Sequence, residues 1–189
     1  MNLKYVLLGL LKYWPSTGYS LQKRFFKPVS PTLSQIYRTL KEMSNEGLVK
    51  SDRIQQEKLP ARNVFRITED GYNELEQWLR ESWKLSPIRD TSVQKLWFAS
   101  LTSGEYILPN IESYKDKRKE ELEYYEHEVR KVVDKNIKAY GGPLEQLYWN
   151  LALDYIQRRG RAEIEWAEAA MERISSFKLQ DITKTRETK

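Results

Sequence analysis

The chain has 189 residues, 40% hydrophobic and 31% charged, enough to build a core in one domain or two small ones. It contains no cysteine, which excludes disulfides, cysteine redox chemistry and zinc fingers, and no run approaches the ~20 apolar residues of a membrane span. The formal charge of +5 is uneven: residues 1–85 hold 14 Lys and Arg against 9 Asp and Glu, while residues 86–189 hold 18 of each. A basic module beside a neutral one points to a nucleic-acid reader joined to a second function.

Leu3, Val6, Leu7, Leu10, Leu11 and Trp14 follow helical spacing, with Asn2 as a cap. This stretch predicts a short core helix ending before Pro15. Its apolar residues Val6 to Leu11 lack the basic start and small-residue cleavage site of a signal peptide, so a cytoplasmic protein is expected. Ser16 or Thr17 starts a second helix, with Leu21 and Phe25 one turn apart, and Pro28 breaks it.

The third helix, "SPTLSQIYRTLKEMSNEGLVK" from Ser30 to Lys50, organises the first half of the chain. Ser30 or Thr32 caps it, and Pro31 fits a first helical position. Leu33, Ile36, Leu40 and Met43 fall on one side, which leaves Ser34, Gln35, Arg38, Lys41 and Asn45 facing outward. Gly47 stops the helix, because glycine tolerates the left-handed conformation of a C-terminal cap. An exposed side this rich in hydrogen-bonding groups suits a DNA major groove, although a solvated helix face gives the same pattern. Three helices of this kind within about 45 residues form a helix-turn-helix arrangement.

Leu48–Ile54 and Asn63–Ile67 read as strands joined by a polar loop over Gln55–Ala61, which contains Pro60. After three helices such a hairpin is a wing, and Lys58 and Arg62 sit at its tip. Thr68 caps the next helix, where Glu69 and Asp70 suit the positive end of its dipole. Leu75, Trp78 and Leu79 are its expected buried stripe.

"KLSPIRDT" reads as a linker, and the rest of the chain is helical. Val93, Leu96, Trp97 and Leu101 mark a short helix, and Ser103 caps the following one, where Pro109 falls in the early turns. Ile111, Tyr114, Leu122, Tyr125, Val129 and Val132 then trace a seam interrupted by Arg118. "YGGP" at 140–143 ends that helix and begins a last one, from about Leu144 to Phe177, roughly 50 Å long at 1.5 Å per residue. Leu144, Leu147, Tyr148, Leu151, Tyr155, Ala162 and Trp166 make a long stripe that needs cover. Part of it faces the other long helix, and the rest most simply faces a second copy of the chain.

No enzyme is expected. The one histidine, His127, lies among Glu126 and Glu128 on a charged helix, and no nucleophile elbow, phosphate loop or metal-ligand motif occurs. No metal site and no cofactor are expected either. Many carboxylates have a lysine or arginine four residues away, the ordinary use of surface charge.

Four segments, "LKYVLLGLL" at 3–11, "TGYSLQ" at 17–22, "SQIYRTLKEMSNEGLV" at 34–49 and "VFRITEDGYNELEQWL" at 64–79, come in the order found in PadR regulators. On these pieces the first 80 residues resemble the PadR family of transcriptional regulators. The remainder, with "LTSGEY" after a short helix, resembles the longer-tailed branch, whose helical C-terminal domain dimerises. The compact "FFKPVSPTL" before the third helix departs from that branch, where a longer segment is usual. The resemblance implies a mainly α fold: an N-terminal winged helix-turn-helix with a two-stranded wing, then a C-terminal helical dimerisation domain. The expected division is 1–83 for the winged helix, 84–91 for the linker, 92–177 for the dimerisation domain and 178–189 for a polar tail.

The resemblance further implies a dimeric repressor binding a pseudo-palindromic operator on double-stranded DNA. By position it puts Ser34, Gln35, Tyr37 and Arg38 on the recognition helix, Tyr19 at the start of the supporting helix, and Lys58 and Arg62 in the wing; Lys41 shares the outward face. Ser34 and Gln35 suit base edges, and Arg38 suits guanine or a phosphate. Tyr37 borders the buried stripe, where it serves equally as a phosphate ligand or as a packed core residue. Trp97, Tyr148, Trp149 and Tyr155 are the candidates for contact with a small aromatic or lipophilic effector, phenolic acids being one class known in the family. Arg158, Arg159 and Arg161 offer cations to an acidic ligand or simply line a solvated face. The competing reading is a winged-helix adaptor that binds protein and no DNA, which salt-dependent duplex binding would separate.

Overall fold

The computed structural model describes the chain except residues 1, 27–29, 56–60, 85–89, 102–105 and 188–189, and describes only the backbone of 178–187. Lys58, Pro28, Ser103 and most of the expected linker lie outside the described residues. The chain forms two compact units, Met1–Ser86 and Pro87–Lys189. The first is a winged helix-turn-helix and the second is helical, so the fold is mainly α.

In the first unit, α1 (Leu3–Tyr13), α2 (Gly18–Gln22) and α3 (Leu33–Asn45) precede an antiparallel hairpin of β1 (Val49–Ile54) and β2 (Arg62–Ile67), closed by α4 (Glu69–Arg80). The pairing runs from Val49 with Ile67 at the base to Ile54 with Arg62 at the open end. Ser16 adds a single bridge to Phe65. The core gathers Leu7, Leu8 and Leu11 with Leu21, Ile36, Leu40, Met43, Val49, Phe65 and Leu75. Leu8 lies outside the expected stripe yet is fully buried, because α1 is enclosed by α3, β2 and α4 together. Burying such a leucine contributes about 1.5–3 kcal/mol.

Several local expectations change. Asn2 makes no side-chain cap on α1. Thr17 caps α2 and Thr32 caps α3, so Pro31 precedes the cap and is not a first helical residue. Leu79 is 63% exposed: one residue past Trp78 turns it by about 100°, away from α1. Trp78 stacks flat on Tyr5, ring centroids 4.6 Å apart. Beside them Lys4 bridges Glu46 and Glu74 at 3.0 and 3.1 Å, and the Tyr5 hydroxyl donates to Glu74. These two ligands hold the Glu74 carboxyl below its ordinary pKa.

In the second unit, α5 (Thr91–Trp97) and a 3-10 turn (Ala99–Leu101) precede α6 (Ile107–Tyr124). A π-turn (Tyr125–Val129) joins α6 to α7 (Arg130–Tyr140), and α8 (Pro143–Glu187) follows the Gly141–Gly142 break. Thus α8 continues as helix ten residues past its expected end at Phe177. Antiparallel contact between α6 and α8 buries Ile111, Tyr125 and Val129 against Leu153, Gln157, Ile164 and Ala167. Arg118, which interrupts the apolar seam in sequence, pairs with Glu121 and Glu163 at 2.7 Å each. Lys119 pairs with Glu168, Arg161 with Glu126, and Tyr114 meets the edge of Trp166. Val132 departs from the expected seam: it is 43% exposed, because the π-turn rotates the helix beyond it.

Candidate nucleic-acid interface

The third helix begins with a reciprocal cap. Thr32 Oγ1 accepts from the Gln35 backbone N–H at 3.2 Å, and Gln35 Oε1 accepts from the Thr32 N–H at 2.9 Å. The motif satisfies two N–H groups that a helix start leaves without partners. It also engages one face of the Gln35 amide, so the free protein does not present Gln35 as a two-point adenine reader. Ahead of the cap, Gln22 Nε2 donates to the Pro31 carbonyl and ties α2 to the entrance of α3.

Along α3, Ser34, Gln35, Tyr37, Arg38 and Lys41 are all exposed, while Ile36, Leu40 and Met43 are buried. The outward side is therefore polar and basic at one end. Tyr37 is half in and half out: its ring rests against Gly18 while 44% of the residue stays exposed. Tyr19, next along α2, is exposed under the Lys23 ammonium, which lies 4.5 Å from its ring centroid.

The far end of α3 is joined to the wing through few atoms. Gly47 adopts φ +76°, the left-handed conformation expected of it. Thr68 Oγ1 donates to the Gly47 carbonyl at 2.7 Å and accepts from the Gly71 N–H, and the Thr68 N–H donates to Leu48. A side chain at Gly71 is impossible here, since its Cβ would stand 2.1 Å from the Leu48 oxygen. The reading helix, wing and α4 thus share one junction.

On the wing, Arg62 is exposed at the open end of β2, and Lys58 falls outside the described residues. The hairpin also exposes Lys50, Arg53, Asn63 and Arg66, which the sequence reading did not single out. Arg53 and Asn63 are register partners near the tip. Strand alternation puts Asn63 on the side of the buried Phe65, so only the register near the open end marks it, together with Arg53. Arg66 is paired with Asp52 at 2.8 Å.

The four candidate effector residues are spread over α5 and two sides of α8. Tyr148 and Tyr155, 61% and 67% exposed, share one face of α8 with Leu144 and Leu151; Trp149 is turned away and half-buried, and Trp97 is on α5. The open hollow on α7 is lined instead by Lys131, Asp134, Lys135, Lys138 and Ala139. Arg158, Arg159 and Arg161 each meet a carboxylate, of Asp154, Glu163 and Glu126 respectively. No helix among the described residues is long and apolar enough to cross a membrane.

A capped polar helix set between a supporting helix and a two-stranded wing defines a winged helix-turn-helix protein. The model of the transcriptional regulator PadR-like family matches residues 7–77, and that of the virulence activator alpha C-terminal family matches residues 88–175. Residues 7–77 thus carry a domain of the PadR-like family of transcriptional regulators, followed at 88–175 by one of the virulence activator C-terminal family.

It is 36% identical over 93 residues to a probable transcriptional regulator of Mycobacterium tuberculosis, covering 47% of this chain and 48% of that one. It is 31% identical over 109 residues to the negative transcriptional regulator PadR of Bacillus subtilis, covering 54% and 59%. The chain thus spans about half the length of the curated relatives it matches. The crystal structure of Bacillus subtilis PadR in complex with operator DNA shares its fold, with a TM-score of 0.77 at 24% identity over 92% of this chain and 99% of that one. The same protein with p-coumaric acid superposes with a TM-score of 0.71 at 24% identity, over 92% and 98%. A regulator, not an enzyme, agrees with these relatives' names.

Proposed function

We propose that this protein is a transcriptional repressor that binds a pseudo-palindromic operator as a homodimer and releases it on binding a small aromatic molecule. The observation that carries the reading is the outward face of α3, where Ser34, Gln35, Arg38 and Lys41 stand exposed on a helix fixed at both ends. In this reading Ser34 and the Gln35 amide N–H groups meet base edges, and Arg38 meets guanine or a phosphate. Tyr37 and Tyr19 meet phosphates beside them, and Lys41, Lys58 and Arg62 add backbone contacts that carry no sequence information. The fold shared with a relative crystallised on operator DNA supports the assignment.

The dimer rests on α8. Leu144, Leu147, Tyr148, Leu151 and Tyr155 are each at least half exposed, while the opposite side of the helix packs on α6. A second copy would cover that stripe, and two reading heads would then require a two-fold site. Repression follows the relative named as a negative regulator. Release follows the relative crystallised with p-coumaric acid, with Trp97, Tyr148, Trp149 and Tyr155 brought together across the dimer.

The test is selection of bound sequences from random duplexes, followed by titration of affinity against salt. A two-fold consensus and a steep fall of log K with log salt are expected. Absence of duplex binding at low salt would overturn the reading.

A further inference from the structure

Gln35 uses its side-chain carbonyl inside its own helix. Its Oε1 accepts from the Thr32 N–H at 2.9 Å and from the Thr32 hydroxyl at 3.1 Å. A backbone N–H only donates, so chemistry fixes which end of the amide meets Thr32: the oxygen. An amide oxygen has two lone pairs, and both are engaged here. What Gln35 has left is Nε2–H2, two donors and no acceptor, on an exposed residue. Arg38 and Lys41 follow at three-residue steps on the same outward side, both exposed. A guanidinium and an ammonium are donors only. The row Gln35, Arg38, Lys41 therefore offers donors and no acceptor.

Each base edge meets such a row differently. Adenine presents N7 as an acceptor but N6–H2 as a donor, so the usual glutamine–adenine pair needs the amide oxygen. Cytosine presents only the N4–H2 donor. Guanine presents two acceptors, O6 and N7, which one nitrogen with two hydrogens serves together, as a lysine does. The Ser34 hydroxyl beside the row both gives and takes, and it does not discriminate.

We propose, on the reading of α3 as the DNA-contacting helix, that Gln35 reads guanine and rejects adenine because its acceptor is held by its own helix cap. Thr32 is then a positioning residue that sets the base without touching it. Its N–H and hydroxyl turn an amide of two-sided chemistry into a one-sided donor. Reading adenine would require Gln35 to leave the cap and strip the Thr32 N–H of its partner inside an interface that excludes water. Guanine is read with the cap intact.

The test is selection of bound duplexes from a random pool by the intact chain and by Gln35→Ala, Gln35→Glu, Thr32→Ala and Thr32→Ser, each in the full-length protein. The base whose preference Gln35→Ala abolishes is the one Gln35 reads, and it should be guanine. Gln35→Glu keeps the cap but has only acceptors to offer, so guanine should be lost there and cytosine favoured. Thr32→Ala leaves one lone pair of the amide oxygen open, and adenine should rise against guanine by about tenfold, the discrimination of one good base contact. Thr32→Ser keeps the hydroxyl and should keep guanine. Hydrogen exchange at the Thr32 amide should be slow in the free protein, stay slow in the complex with the selected duplex, and become fast in Gln35→Ala. Three results overturn the proposal while leaving α3 as the reading helix: another base at that position, no position governed by Gln35, or fast Thr32 exchange in the complex. Failure to select any duplex overturns both.

Discussion

The ring of Tyr37 lies on Gly18 so closely that a Cβ at position 18 would stand 2.7 Å from its Cε1 and Cζ atoms. The supporting helix and the reading helix therefore meet through a residue with no side chain. Gly18→Ala is expected to destabilise the protein by about 1–3 kcal/mol through this overlap. In a Tyr37→Ala background the same change should cost much less, which a double-mutant cycle in urea reads directly. Tyr37→Phe separates the tyrosine's two roles. Unchanged stability with weaker DNA binding would assign the hydroxyl to a phosphate, and unchanged binding would leave it a packing residue.

Gln35 serves the helix cap and the outward face at once. Gln35→Glu keeps an acceptor for the Thr32 N–H, so stability should hold while operator affinity falls. Thr32→Ala should cost about 1 kcal/mol of stability. Arg38→Ala should weaken the selected site by about 1–3 kcal/mol if its guanidinium spans a guanine. Lys58→Ala should weaken all sequences alike and lower the salt slope by about one. Filter binding to selected and scrambled duplexes distinguishes these outcomes, and no effect from any of them would discard the assigned face.

The Lys4–Glu74–Tyr5 group gives the fold a signed pH response. Lys4 and Tyr5 bind the Glu74 carboxylate and hold its pKa below the ordinary 4.5. Its contribution is therefore complete above that value and is lost as pH falls through the lowered one. Burial alone would lower the Lys4 pKa, but its bonds to Glu46 and Glu74 outweigh this and raise it. That contribution is present below the ordinary lysine value and disappears as pH rises through the raised one. Glu74→Gln should flatten the acid side of the stability curve, measured by urea midpoints between about pH 6 and pH 3.

Light scattering should find a homodimer at micromolar concentration. Leu147→Glu with Leu151→Glu places charge on the exposed α8 stripe and should yield monomers with unchanged helical dichroism. Truncation at Tyr140 should leave a monomeric or poorly soluble chain. A wild-type monomer would remove the two-fold operator from the proposal.

Phenolic acids and planar aromatic compounds should quench tryptophan fluorescence and release the operator at matching concentrations. Release requires tighter binding to the DNA-incompetent arrangement, because equal affinity for both shifts nothing. Trp97→Phe and Tyr148→Ala should weaken quenching and release together. Quenching with the operator still bound would separate a pocket from the proposed coupling.

The first unit was largely readable because its signals are local. Thr32 ahead of Leu33, Gly47 after Asn45, and alternation in the wing each arise from a few neighbouring residues. The misses depend on distant ones. Leu8 is buried because three elements surround α1, and Leu79 is exposed because α1 does not reach it. The fit of Tyr37 on Gly18 joins residues 19 apart in sequence, with no spacing to announce it. Val132 falls on the seam only if the heptad continues unbroken, and the extra residue of a π-turn carries no composition of its own. The polar face of α3 followed from helical spacing, and family resemblance added Tyr19 and the roles toward DNA, whereas Arg53 and Asn63 became visible only with the strand register.

The bonds between Thr32 and Gln35 also bear on the calorimetry of recognition. They order the first turn of α3 in the unbound protein, so docking does not fold the reading helix and loses little backbone entropy there. Titration calorimetry should then give a heat-capacity change in proportion to the contact surface alone, without the large extra decrement of coupled folding. In the Thr32→Ala protein that turn frays. The same operator should then bind with a more negative heat-capacity change and a larger entropic penalty, even where the contacts finally made are identical.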